Sequence, residues 1–268
     1  MMMMQRLYID GIAFWSRELP GWDVAAPLLR GGAATTREIQ PRIPAPALLG
    51  ANERRRASDQ VLMTVEVAAR AVADAGRDAA ELASVHVSAH GDLAITDAIC
   101  RTLAADPLQL SPTRFHHSVH NAPSGYWAIA ARCHGASTAL AAGDASFGAG
   151  LLEAACQCTA DAEPRLFVAS DTEACGPLAS VNHSRGLLAL ALVLGCERSA
   201  ASRWTLDWRL QARAAQTLPL RSPAAHALAG NAMAAGLPLF EALAAGAAAT
   251  LEFGAAPQAA LEIAIAPL

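Results

Sequence analysis

Hydrophobic positions recur along the chain with two periods, and the period changes mark the elements. Leu7–Phe14 (Leu-Tyr-Ile-Asp-Gly-Ile-Ala-Phe) reads as a first strand. Ser58 then stands as an N-cap, Val61, Val65, Ala68, Ala69 and Val72 recur at helical spacing, and Gly76 follows as a stop. Ser84–His90 alternates Val85, Val87 and Ala89, which predicts a strand. Ile95–Leu103 predicts a short helix, Phe115–Ala122 is a polar, His-rich segment, and Ser124–Ala131 opens another helix. Ala145–Cys158 is apolar almost all round, so this helix is buried on most sides. Leu166–Ser170 and Gly186–Leu194 are continuous apolar runs, as expected of central strands in a covered sheet. Arg203–Leu210 alternates Trp204, Leu206, Trp208 and Leu210, the pattern of an edge or half-buried strand. Met233–Ala245 predicts a helix and Ala259–Ala266 a last strand. Leu19 to Ala57 reads as loop-rich, with Pro20, Pro27, Pro41, Pro44, Pro46 and the pair Gly31-Gly32. Strands alternating with helices predict a layered α/β fold. No internal repeat and no linker stand out, so residues 1–268 are read as one compact unit.

Composition narrows the function classes. The 268 residues carry 20 basic and 24 acidic side chains, a formal net charge of −4, and 53% hydrophobic residues at a mean hydropathy of +0.27. All the basic residues are Arg, and Ala makes up about a quarter of the chain, roughly threefold its ordinary share. The chain is too apolar for disorder and lacks the basic excess of nucleic-acid binding. Without Lys there is no P-loop lysine, Schiff-base lysine or lysine general base. No stretch reaches the roughly 18 uninterrupted apolar residues of a spanning helix; Leu187–Leu194 and Ala242–Leu251 are too short, and Met1–Asp10 has no signal-peptide layout. The expectation is a cytoplasmic protein whose apolar excess is small-residue packing, with some of it exposed as a partner interface. The six Cys form no C-x-x-C pair and no zinc spacing, and Cys156 and Cys158 face apart on a helix; they are expected to be free, buried thiols in a reducing compartment.

Three segments carry candidate chemistry. In Phe115–Trp127, His116, His117 and His120 lie within five residues. If that segment is extended, His116 and His120 share a face and His117 does not. No carboxylate stands close, so a packed or hydrogen-bonded cluster is favoured over a metal site. Gly135–Phe147 is a run of small residues delivering one acid, Asp144, to the start of the buried helix. A Cys there would be an activated nucleophile; an Asp is a poor one and serves first as an N-cap. In Asn231–Leu243, Asn231 enters a small-residue turn before an apolar helix, where it caps that helix or lines a pocket.

The stretch from Phe115 to Glu153 resembles the β-ketoacyl synthase family of the thiolase-like fold. In that family "Asn-Ala-Ala-Ala-Gly-x-x-x-Ile" precedes "Gly-Pro-x-x-Thr-Leu" and the nucleophile turn "Ala-Cys-Ala-Ser". Asn121–Ile129 matches the first piece and Gly135–Leu140 the second, loosely. Gly143-Asp144-Ala145-Ser146 falls on the nucleophile turn, so the resemblance puts Asp144 where the acyl-accepting Cys stands. Ile43–Ser58, Ala191–Gly195 and Gly230–Glu241 match further family segments in the same order, and Asn231 stands where the last has a catalytic His. The family's other catalytic His, in a "His-Gly-Thr" turn, has no counterpart after residue 186; His90-Gly91-Asp92 comes too early in the chain. The pattern is most similar to the small chain-length-factor-like subunits of aryl polyene and xanthomonadin-type pigment clusters, which share "Ser-Val-His-Asn-Ala…Gly-Tyr-Trp-x-Ile-Ala" and "Ala-Gly-Asp-Ala-Ser-Phe".

The resemblance implies a shortened thiolase-like fold, with mixed sheets, buried central helices and a truncated second half. It implies a subunit of a type II polyketide or fatty-acid-like system that needs no cofactor, pairs with a catalytic ketosynthase, meets the acyl carrier protein only indirectly, and shapes the acyl tunnel without condensing chains itself. The residues agree, because condensation needs a thiolate and two donors for the developing charges, and this chain offers Asp144 and Asn231. His116, His117, His120, Asn121, Tyr126, Trp127 and Phe147 are the interface or tunnel candidates. The alternative is a carrier-bound acyl hydrolase or decarboxylase in which Asp144 works with one of the three His. A homodimeric binding protein is the third reading.

Overall fold

The computed structural model describes residues 4–32 and 43–268. Eight strands, β1 (Gln5–Ser16), β2 (Ser84–Val87), β3 (Ser137–Leu140), β4 (Arg165–Asp171), β5 (Leu188–Gly195), β6 (Trp204–Gln211), β7 (Ala249–Ala256) and β8 (Ala259–Pro267), form one mixed sheet in the order β3-β2-β4-β5-β1-β6-β8-β7. β2 pairs in parallel with β3 and β4, and every other pairing is antiparallel. The helices are α1 (Trp22–Leu29), α2 (Ala51–Arg56), α3 (Asp59–Asp74), α4 (Leu93–Ala105), α5 (Pro112–Ser118), α6 (Ala122–Ala131), α7 (Ser146–Asp161), α8 (Pro223–Leu228) and α9 (Leu237–Ala245).

The apolar runs behave as their periods predict. In β5, Leu188, Leu190, Leu192 and Leu194 face one core, while Ala189, Ala191 and Val193 face the other. Both faces are therefore covered, which is why the run is continuous. α3 packs on β1, β4 and β5 from one side, with α6 against it. α7 packs on β2 and β4 from the other side and also reaches β7. A helix clamped between two layers needs glycine where backbone approaches. A Cβ on Gly148 would lie 2.2 Å from the Gly254 carbonyl oxygen, and one on Gly150 would lie 2.1 Å from Val87 Cγ2. These two residues are about 200° apart on the helix, so each serves a different wall. Phe147 and Leu151 are fully buried between those walls, each contributing about 1.5–3 kcal/mol of burial.

β1 joins the two halves of the sheet. Tyr8–Ser16 pairs with β5 and Gln5–Ile9 with β6, with a bulge between Ile9 and Gly11. The extra residue is Asp10, fully buried, which accepts hydrogen bonds from Arg77 Nη2 (2.7 Å) and Ser202 Oγ (2.7 Å).

Several expectations are corrected. The loop-rich stretch Leu19 to Ala57 contains α1 and α2; Pro27 sits inside α1 and hides its helical pattern, while Pro41 lies outside the described residues. The His-rich segment is not extended, since residues 112–118 form α5 behind the N-cap Ser111. β6 is half-buried but interior, lying between β1 and β8. The helix expected from Met233 begins as a 3₁₀ turn, Ala234–Gly236, and becomes α9 at Leu237. The short or small-residue strands β3 and β7 have no counterpart among the predicted elements.

Candidate functional site

β3 runs into a 3₁₀ turn, Gly143–Ala145, and then into α7. Gly143 takes a φ of +55° to make the corner, a conformation that suits glycine. Asp144 does not cap α7, contrary to expectation. The helix has no side-chain cap at Ala145, and the turn is fastened by Ser146, whose Oγ accepts from the Ala142 N–H (2.8 Å) and donates to the Gly143 carbonyl (2.6 Å). Asp144 is exposed and, among the described residues, has no hydrogen-bond partner. It stands at the rim of a cavity of about 720 Å³ whose wall includes Gly148, Leu218, Ala235, Pro238 and Phe253. The turn is thus built to present one side chain at the head of a buried helix, and that side chain is a carboxylate.

Asn231 is buried. Its Nδ2 lies 3.2–3.3 Å from the backbone oxygens of Asp171, Arg185 and Gly186, and its Oδ1 accepts from the Met233 N–H at 2.9 Å. Neither expected role is observed: the N-cap of α9 is Gly236, with no side-chain cap, and Asn231 closes a local turn through the Met233 N–H. The side chain ties the turn before α9 to the end of β4, and it does not line the Asp144 cavity.

The His-rich candidates separate. His117 Nε2 lies 2.6 Å from Tyr126 Oη, joining α5 to α6. His120 Nε2 donates to the Ser88 carbonyl at 2.9 Å. His116 and Asn121 are exposed. None of the three His lines the Asp144 cavity. Trp127 and Phe147 are both core residues of this chain: Trp127 is buried with α3 and α6, and Phe147 lies with ring centroids 5.5 Å from Phe167 and 5.3 Å from Phe253. Burial within the chain takes these two away from any surface a partner would meet. Exposed apolar side chains stand close by instead: Phe115 on α5, Val119 after it, and Ile129 on α6.

A polar cluster at the ends of β2 and β4 escapes the sequence patterns. Asp171, fully buried, accepts from Ser88 Oγ (2.8 Å), the Ala89 N–H (2.7 Å) and the His90 N–H (3.4 Å). Gln60 Nε2 donates to Ser88 Oγ (3.0 Å), and Thr64 and Ser170 share a 2.8 Å hydrogen bond. Loss of hydration pushes the Asp171 carboxyl up to about 6 despite its three donors. His86 on β2 is also sealed in; neither ring nitrogen has a partner among the described residues, and burial pulls it down to about 3. The one available signal was the polar pair Ser170-Asp171 closing an apolar strand.

The model of the β-ketoacyl synthase N-terminal domain matches residues 32–254. The chain belongs to that family. Among solved structures, the complex of the ketosynthase ApeO with its chain length factor ApeC from Xenorhabdus doucetiae is similar at 21% identity and a TM-score of 0.72, covering 96% of this chain and 98% of that one. The ishigamide ketosynthase/chain length factor matches at 13% identity and 0.71, covering 98% and 99%. A type II polyketide synthase complex, AntDE:AntF, of an acyl-carrier protein with its ketosynthase bound to the hexaketide, matches at 12% and 0.73, covering 99% and 100%. At these identities the likeness is one of fold, the thiolase-like ketosynthase fold. No curated protein matches the sequence. Among the described residues of this β-ketoacyl-synthase-like chain, no helix is long and apolar enough to cross a membrane.

The thiols need one correction. All six Cys are free, but only Cys158 is buried, where lost hydration pushes it up to about 12 and its Sγ points at the Leu194 carbonyl (3.7 Å). Cys100 and Cys156 are exposed, and no Cys lines the Asp144 cavity.

Proposed function

We propose that this chain is a non-catalytic, chain-length-factor-like subunit that pairs with a catalytic ketosynthase in type II polyketide or fatty-acid-like synthesis, of the aryl polyene pigment kind, and shapes the far end of the partner's acyl tunnel. One observation carries the reading: the turn that would present a nucleophile is intact, yet it presents Asp144 to a cavity lined by no Cys and no His. Decarboxylative condensation needs a thiolate and donors aimed at the developing oxyanions. Asn231, at the position the resemblance assigns to a catalytic His, spends its side chain on backbone groups. Residues 1–268 act as a single thiolase-like unit with a shortened second half, in the cytoplasm, and the carrier protein is met through the partner. The hydrolase or decarboxylase reading requires a His beside Asp144, and His116, His117 and His120 belong to a different part of the molecule.

The partner surface we assign is the outer edge of β3 with the neighbouring faces of α5 and α6. Among the described residues β3 pairs with β2 alone, leaving one row of its backbone groups open, and such an edge is a template for another chain. Beside it, Ile129 is 69% and Phe115 59% exposed, an apolar excess suited to burial against a subunit. His116 and Asn121 lie on that side as polar contacts. The test is co-expression with a candidate ketosynthase, followed by size exclusion and mass measurement. A one-to-one heterodimer that Ile129→Asp or Phe115→Asp dissociates supports the reading. A stable homodimer that captures no ketosynthase, or condensation by the purified chain alone that is lost on Asp144→Ala, overturns it.

A further inference from the structure

The cavity behind Asp144 has a charge pattern of its own. Two carboxylates reach it, and they are not equivalent. Glu252 is engaged by Arg213, with Nη1 at 3.0 Å from Oε2 and Nη2 on Oε1, and it accepts from the Gln216 N–H at 3.5 Å; Arg213 holds the Glu252 carboxyl below its usual range. Asp144 has no such partner among the described residues. The rest of the wall is chiefly Ala and Gly with Leu218, Pro238 and Phe253, and two polar residues, Gln216 and Thr217, complete it. Its volume, about 720 Å³, is within the usual span of small-molecule sites, roughly 300–1,000 Å³, which are mostly apolar with one or two placed polar groups.

We propose that this cavity is a binding site for an apolar molecule headed by an amine. The ammonium would sit on Asp144 and the hydrocarbon would lie along the Ala235, Pro238 and Phe253 wall. A carboxylate accepts only, so it rewards a head that donates, and it rewards a cationic donor most. The same carboxylate repels a carboxylate-headed chain of equal length. Glu252 adds nothing to the choice, because Arg213 already answers its charge. The inference concerns a ligand of this chain and stands whether or not the chain pairs with a ketosynthase.

Equilibrium dialysis of the purified full chain at neutral pH against octylamine, octanol and octanoate tests it. The expected result is one octylamine per chain, bound at least about tenfold more tightly than octanol, with octanoate weakest. Asp144→Asn should reduce the octylamine affinity about tenfold and leave octanol unchanged. Ala235→Phe, at an exposed position of the wall, should abolish binding of all three by filling the space. Equal affinity for the three probes, no saturable amine binding, amine affinity untouched by Asp144→Asn, or binding that survives Ala235→Phe each overturns the proposal. Comparing octylamine with octanoate on the unmodified chain decides the charge preference even where a variant folds poorly.

Discussion

Asp144 and Asp171 show two opposite uses of one side chain. Asp171 is sealed beneath the ends of β2 and β4, and its oxygens are taken up by Ser88 and two backbone N–H groups. Asp144 stands in the open at the head of α7 and has no hydrogen-bond partner among the described residues. The buried carboxylate fixes where two strands and the turn after them lie. The open one leaves the fold indifferent to its identity, and that indifference frees the position for recognition. A turn can therefore keep the shape of a catalytic corner after its chemistry has gone, since Gly143 and Ser146, not residue 144, hold the shape.

The largest expected effect lies on the sealed side. Asp171→Ala strips an acceptor from three donors, and urea unfolding should show a loss of about 4 kcal/mol, each orphaned buried group costing about 1–3. The open side is rigid beneath its rim: Gly148→Ala drives a Cβ into the Gly254 backbone and should cost about 2–3 kcal/mol by the same measurement. Acid titration of stability sharpens the contrast further. Asp171 holds its proton up to about 6 in the folded chain against about 4 when unfolded, so its contribution grows as pH falls from 6 to 4. His86 resists protonation down to about 3 against about 6.5 unfolded, so its contribution shrinks over the same range. The two slopes oppose. Asp171→Asn should leave a stability that drops with acid, and His86→Phe one that rises from pH 6 to 4, each by at most about 1.4 kcal/mol per pH unit. The smallest effect is Asp144→Ala, which should stay within about 0.5 kcal/mol of the unmodified chain, as for a surface side chain with no partner. A loss above about 1 kcal/mol there would erase the distinction between the two sites.

The sequence made the clamped parts of the fold legible. Burial on two faces admits only apolar residues, so α7, β4 and β5 announce themselves as continuous runs. β7 does not, because Gly254 and its Ala neighbours are chosen for close approach to α7 and carry little strand preference. α1 was hidden by Pro27. The Asp144 corner was readable as a local motif within a dozen residues. The Asp171 cluster was not: Gln60, Thr64, Ser88 and Ser170 lie on separate elements and meet only through the strand order β2-β4 and the helix above it. The cavity wall is likewise gathered from four stretches, near residues 142–148, 214–220, 229–238 and 252–257. Trp127 misleads for the opposite reason, since its neighbours Tyr126 and Ala128 are partly exposed and its own side chain is not; Phe147 sits in a wholly buried stretch, between Ser146 and Gly148.

The double pairing of β1 also sets a timetable. β1 (Gln5–Ser16) leaves the ribosome far ahead of both its partners, since β5 and β6 begin after residue 187. At roughly 5–20 residues per second, this strand waits roughly 10–35 s before either edge can be matched. Through that interval Leu7, Ile9, Ile12 and Phe14, all buried at the end, have no native strand to pair with. A strand made well before either of its neighbours is therefore placed late, and its exposure during synthesis is a cost of joining both halves of the sheet through one strand.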